Sequence, residues 1–329
     1  MHQSIEELYS NAQKEGRLSL YVAGPLSFSE PWARLFEAEY PGIAVEIRNG
    51  PSVDLVDSID QQRANGRLQA DIAILQTLQD FVRWKADGAL AVNNSDEFGA
   101  IATEFKDDEG FYVGVQVLSV LYAYNTDLLG TDRPPAKATD FLDPRWRGQI
   151  IIGYPSADEV VLYLMSTIVD KYGWDFMPSL MANEPRFVFG HVGVTKMIGE
   201  GQYAVTFDAI NKLASDERVA GQPVELAIAD EDPMPVWPQS AGILAGSPNP
   251  NAAALYIDWY LRPAQQARVN ALGSWSPRHD IAIPADLKPL SECTLADGLL
   301  EFMTDRDKVA DLKQRFEKFT GPPTGGYHV

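Results

Sequence analysis

The stretch LSLYVAGPLSFSEPWARLFEAEYPGIAVEI, residues 18–47, decides the fold. Leu18 to Ala23 is a short apolar run of the length and residue type of a buried strand. Ser29 then opens a helix, with Pro31 and Trp32 in its first turn and Leu35 and Phe36 on its apolar face. Ile43 to Ile47 is the next strand. A strand, a helix and a strand in succession imply a parallel sheet covered by helices. The pattern extends both ways. Upstream, Ser4 with Glu7 reads as a capping box before a helix carrying Leu8, and Gly16 suits its C-terminal stop. Downstream, Ser52 opens a helix with Val53, Val56 and Ile59 at helical spacing. Asp71 to Leu75 is a third strand, and a helix with Leu78, Phe81, Val82 and Trp84 follows.

The middle changes character. Phe111 to Val117 and Val120 to Tyr124 are adjacent β-rich runs with no helical signal between them. After the Pro-rich Arg133-Pro134-Pro135 and a helical turn at Asp140 to Trp146, the alternation resumes. Strand Ile150–Gly153 leads to a long helix from Ala157 to Lys171, with Ser156 and Glu159 as its capping box. Strand Phe187–Phe189 precedes a helix from Val194, strand Ala204–Phe207 precedes a helix from Ala209, and Val224–Ala229 completes the set. Met234 to Pro238 is punctuated by proline and reads as a loop. Ala241 to Leu244 is apolar, and Ala252 to Ala267 is an amphipathic helix. Two α/β sets result, joined by β-rich segments near 115–125 and 235–245.

The chain has 329 residues, which suggests about two domains at roughly 150 residues each. Lys+Arg 27 against Asp+Glu 46 gives a net charge of −19, which opposes nucleic acid and anionic lipid. No apolar run approaches the roughly 18 to 20 residues needed to span a bilayer. The single cysteine, Cys293, excludes a disulfide framework, and His2, His191, His279 and His328 are scattered, so no metal and no cofactor is expected. The N-terminus lacks a basic and apolar leader, which leaves a cytoplasmic protein or one whose leader has been removed.

Several collinear stretches resemble the bacterial extracellular solute-binding proteins of ABC importers, in the iron, phosphonate and small-organic-ligand branch of the type II periplasmic binding fold. They are Glu39 to Glu46 (EYPGIAVE), Ala70-Asp71-Ile72-Ala73, Tyr124 to Leu128 (YNTDL), Asp140 to Gly148 (DFLDPRWRG), Gly242-Ile243-Leu244, and Ser247 to Ala253 (SPNPNAA). The resemblance implies a two-lobed α/β fold, each lobe a mainly parallel sheet flanked by helices. Residues 1–118 plus 241–329 form the first lobe and 119–240 the second, closing by hinge motion on a ligand cleft between them. It also implies a periplasmic or extracytoplasmic monomer that serves a membrane permease. Iron-binding members carry adjacent tyrosines near the strand corresponding to Ala204–Phe207. Here that stretch begins Tyr203-Ala204, so iron is not the expected ligand.

In open α/β sheets ligands bind at the carboxyl ends of strands, where helix N-termini present free N–H groups. The hydroxyl and amide residues at these junctions are Ser27, Ser52, Gln76, Thr77, Ser156 and Thr195, each a candidate ligand donor or simply a helix cap. Asp158 and Asp208, with Asn211, bring carboxylate and amide groups to the second set. There they either hold an ammonium or hydroxyl or complement a helix dipole. Trp237 offers a stacking face or packs between lobes. Arg48 is the clearest basic residue near these turns. His191 reads as a loop histidine and Cys293 as inert. The leading reading is therefore capture, without chemistry, of a small polar ligand, anionic or zwitterionic. The rival readings are a transferase or lyase on the same fold, using Cys293 or Asp208, and a cytoplasmic ligand sensor.

Overall fold

Ser4 caps helix α1 (Ile5–Glu15) as its sequence predicts. Its hydroxyl accepts from Glu7 N, the Glu7 carboxylate accepts from Ser4 N, and Gly16 stops the helix with a φ of +73°. The structure is a computed structural model and describes residues 4–283 and 287–325. From α1 the chain runs through β1 (Arg17–Ala23), α2 (Leu26–Glu39), β2 (Ala44–Gly50), α3 (Ser52–Ala64), β3 (Ile72–Leu75), α4 (Leu78–Ala86) and β4 (Leu90–Ala91) to the long β5 (Val113–Asn125). Next come α5 (Thr126–Leu129), β6 (Ile151–Gly153), α6 (Glu159–Tyr172), α7 (Phe176–Met181), β7 (Arg186–Val188), α8 (His191–Gly199), β8 (Val205–Ile210), α9 (Asn211–Val219) and β9 (Val224–Ala227). The last elements are β10 (Met234–Leu244), α10 (Pro250–Leu261), α11 (Pro263–Ala271), β11 (Leu295–Ala296), α12 (Leu299–Thr304) and α13 (Arg306–Thr320).

Contacts divide the chain into two units. Met1–Val117, Pro238–Asn270 and Trp275–Ala282 form the first, and Leu118–Trp237, Ala271–Ser274 and Ile283–Val329 the second. In the first unit β2, β1 and β3 are parallel neighbours in that order, and Ser240–Ile243 of β10 pairs antiparallel with β3. Its core is aromatic. Trp32 and Phe36 of α2 meet α10, with Trp32 4.6 Å from Tyr260 and Phe36 5.1 Å from Tyr256 between ring centroids. Such pairs add about 0.5–1.5 kcal/mol beyond the area they bury.

In the second unit β8 and β9 pair antiparallel with β5, β6 pairs parallel with β7, and a parallel bridge joins Ile150 to Val205. Helix α6 is buried along most of its length, from Val160 to Val169. A helix apolar on every side needs cover on every side. Helices α12 and α13 supply part of it, with Phe302 5.0 Å from Tyr163. Helices α12 and α13 therefore belong with the second unit, whereas the sequence reading set 241–329 in the first lobe.

Four other local expectations give way to tertiary context. The proline-punctuated Met234–Pro238 is part of strand β10, not a loop. Gly114 on β5 makes the room, because a Cβ there would sit 2.9 Å from Pro238 Cβ. The runs at 111–117 and 120–124 are one strand. The helix expected over 252–267 is two, broken where Pro263 forces Arg262 into the extended region. Helix α2 begins at Leu26, so Ser29 lies inside it and its hydroxyl donates to Leu26 O at 3.3 Å.

One carboxylate stitches the first unit. Asp71, fully buried, accepts from Ser19 N at 2.7 Å, Ser247 Oγ at 2.6 Å, Asn249 N at 2.9 Å and Asn249 Nδ2 at 3.0 Å. It thus ties β1 to the turn before α10. Asp71→Ala leaves several buried donors unpaired and should cost roughly 3–5 kcal/mol, since each such group costs about 1–3. Urea denaturation measures this, and a loss below about 1 kcal/mol contradicts the assignment.

Candidate functional site

Three parallel strands in the first unit place three turns at one sheet edge. Gly24 N donates to Gly50 O at 3.1 Å, joining the turns after β1 and β2. Gln76 N donates to Ser52 Oγ at 3.4 Å, joining those after β2 and β3. Ser52, Gln76 and Thr77 are thereby brought together, while Ser27 lies exposed in the first turn of α2. Thr77 occupies the N-cap position of α4 without capping it. Its Oγ1 is buried with no hydrogen-bond partner, as is Gln79 Oε1. Buried polar atoms left open at a helix start are groups a solute can satisfy. Arg48 stands over the Tyr21 ring, 5.3 Å from its centroid.

The second unit concentrates charge. Helix α6 is capped by Asp158, whose Oδ1 accepts from Val160 N at 2.8 Å and Val161 N at 3.1 Å. Ser156 is not the cap, and its Oγ is buried without a partner. His191 is the first residue of α8, not a loop residue, and is buried between two carboxylates. Its Nε2 lies 3.3 Å from Asp158 Oδ2 and its Nδ1 2.9 Å from Asp208 Oδ1. The second contact is one of charge rather than of an aligned hydrogen bond, since neither atom meets hydrogen-bond geometry. The other Asp208 oxygen accepts from Gly153 N at 2.7 Å.

Burial works against the imidazole's proton. Asp208 and then Asp158 outweigh it, and the His191 pKa is raised well above the ordinary histidine value. Burial also pushes the Asp158 carboxyl up. His191 and the amides of Val161 and Val160 reverse this and hold it at about 2. The Asp158 side chain is 30% exposed, so solvent screens its share, and fully buried Asp208 is the stronger partner. A cation in the first turn of a helix opposes the helix dipole. Only the two carboxylates make it tolerable there.

Other nominated residues are turned inward. Asn211 accepts from Ser119 N at 2.9 Å and donates to Gly273 O at 2.6 Å, so its amide holds backbone. Thr195 is buried in α8, and its hydroxyl donates back to His191 O at 3.5 Å. Trp237 is 2% exposed, with its indole N–H unpartnered. Cys293 is half-buried and burial raises its pKa, the opposite of what a nucleophilic thiolate requires. Among the described residues no group of three or more His, Cys, Asp and Glu could hold a metal ion.

Residues 70–295 match the family described as bacterial extracellular solute-binding protein. The chain belongs to this family. Solved structures similar to this solute-binding protein bear out the two-lobed fold. The substrate binding protein of an ABC transporter from Agrobacterium tumefaciens superposes with a TM-score of 0.77 at 16% identity, covering 92% of this chain and 93% of that one. AfuA from Actinobacillus pleuropneumoniae, a periplasmic binding protein with fructose-6-phosphate bound, gives 0.75 at 21% identity over 92% and 98%. Iron-bound HitA from Pseudomonas aeruginosa gives 0.73 at 18% over 91% and 99%. None of this chain's described helices is long and apolar enough to cross a membrane.

The clamp sets a pH dependence. His191 contributes stability that is complete below roughly pH 6.5, the ordinary imidazole value, and is lost as pH rises through its raised folded value. Asp158 contributes stability present above roughly pH 4 and lost as pH falls through about 2. Thermal denaturation across pH should show an alkaline decline that His191→Gln abolishes. That variant should lose about 3–5 kcal/mol at neutral pH, because Asp208 is left buried and unpaired. An identical profile in the variant contradicts the clamp.

Proposed function

We propose that the protein is the periplasmic ligand-capturing component of an ABC importer, working as a monomer. Its solute is a small polar organic molecule with an anionic or strongly accepting group and a hydroxyl or ammonium group. The observation that carries this reading is the second unit's junction. There His191, Asp158 and Asp208 fix the starts of α6 and α8, and beside Asp158 the Ser156 hydroxyl is buried and unpartnered. The accepting group of the solute takes backbone N–H groups at helix starts together with Ser156, and Asp158, ionised and partly exposed, takes its donor. Ser52, Gln76 and Thr77 remain the first unit's own candidate ligand donors. Asp208 acts one step back, by holding His191. Capture proceeds by hinge closure.

The acidic chain, at −19, gives no long-range attraction to an anion, so recognition rests on short-range geometry. The stretch Tyr203-Ala204, where iron-binding members carry adjacent tyrosines, has no such pair. HitA, with iron bound, and AfuA, with fructose-6-phosphate bound, mark the two kinds of cargo to be separated by experiment.

A thermal-shift screen of sugar phosphates, phosphonates, amino acids, polyols and ferric ion tests the reading, because a ligand specific to the folded state raises its melting temperature. A zwitterionic or hydroxylated organic anion should stabilise the protein. Ser156→Ala should weaken it by about 2- to 12-fold, the loss of one hydrogen bond. Stabilisation by ferric ion alone, in a stoichiometric coloured complex, overturns the ligand class. Wild-type affinity in both Ser156→Ala and Asp208→Asn overturns the site.

A further inference from the structure

The C-terminal segment lies outside the 70–295 stretch that carries the family match, and it packs on the second unit. Helix α13 is anchored at Trp174. Phe316 lies 4.9 Å and Phe319 6.2 Å from it between ring centroids, and the Arg315 guanidinium carbon is 3.6 Å from the Trp174 ring. Lys313 Nζ pairs at 2.6 Å with Glu159, the first residue of α6. Gly321 ends α13 with a φ of +71°, and the stiff Pro322-Pro323 carries the chain to Thr324. Thr324 Oγ1 then lies 3.1 Å from the Tyr154 hydroxyl.

Tyr154 is the first residue after β6. It is 7% exposed, with its ring 5.7 Å from Phe187, and its carbonyl accepts from Ala157 N at 3.0 Å. One C-terminal segment is therefore fastened on both sides of Ser156 and Asp158, at Tyr154 before them and at Glu159 after them. Neither fastening is buried deeply. The Lys313 and Glu159 side chains are 28% and 34% exposed, and Thr324 lies at the surface. Contacts of this kind hold a junction yet yield readily.

We infer that residues 306–325 form a strap across the β6–α6 junction, and that Thr324, acting through Tyr154, is a positioning residue that holds the Ser156–Asp158 turn in place for a solute. The inference rests on the solute-capture reading above. It concerns a part of the chain that the family match does not reach.

The test compares Thr324→Val, which keeps the shape and removes the hydroxyl, with Thr324→Ser, which keeps the hydroxyl. In the full chain without solute, amide exchange at residues 156–161 should be about 2- to 10-fold faster in the valine variant and unchanged in the serine variant. Calorimetry with inorganic phosphate and with fructose 6-phosphate then reads the positioning role. The valine variant should bind whichever probe the wild type binds at least about threefold more weakly, and the serine variant should keep the wild-type affinity. Wild-type exchange in both variants overturns the strap. A changed exchange with an unchanged affinity overturns its positioning role. Failure of the wild type to bind either probe or any member of the screen overturns the capture reading itself, whatever the exchange shows.

Discussion

An imidazolium held between two carboxylates organises the second unit. It sits in the first turn of α8, where the helix dipole opposes a cation, and Asp208 and Asp158 are what keep it there. Through these charges four elements are joined. Asp208 extends from β8, its second oxygen takes the N–H of Gly153 at the end of β6, Asp158 caps α6, and His191 begins α8. Gly153 has no freedom to be another residue, since a Cβ would lie 2.8 Å from Asp208 Oδ2 and 3.1 Å from Val161 Cγ2. Because the charged groups are spent on one another, the donors left at the proposed site are backbone amides and small hydroxyls. Those groups bind anions and oxygen-rich molecules by geometry rather than by net charge.

The first unit meets a different demand with similar means. Its chain leaves after β5 and returns at β10, so its sheet must be closed by segments far apart in sequence. Asp71 does this by accepting from backbone and side-chain donors of β1 and of the turn before α10. The residues that carry the family resemblance here, Ala70-Asp71 and Ser247 to Asn249, are the partners in that network. The resemblance thus has a physical content, a buried carboxylate with each donor placed to meet it. Asn211 plays a comparable part in the second unit, bonding Ser119 and Gly273.

The regular parts of the fold were legible because local rules agree with the final structure. The alternation over 18–91, the Ser4 capping box and the Gly16 stop all depend on residues close in sequence. What escaped depends on distance. Ser156 and Glu159 have capping-box spacing, but the turn closed by Ala157 N on Tyr154 O delays the helix, and Asp158 becomes the cap. Met234 to Pro238 reads as a loop until Gly114, on another strand, clears space for Pro238. The largest miss is His191, which was read as a loop residue. Gly190 before it signals a helix start, but no local pattern pairs it with Asp158 and Asp208. Asp208 itself was nominated as a ligand contact, and the structure turns both its oxygens inward.

The central claim is that the second unit's junction receives the solute while its buried charges stay paired with one another. A crystal structure with the bound solute tests this most directly. The account predicts solute oxygens within hydrogen-bond distance of Ser156 Oγ and of first-turn amides of α8, with His191 still between Asp158 and Asp208. A bound solute that touches none of residues 154–158 and 190–195, or that draws His191 away from Asp208, contradicts it.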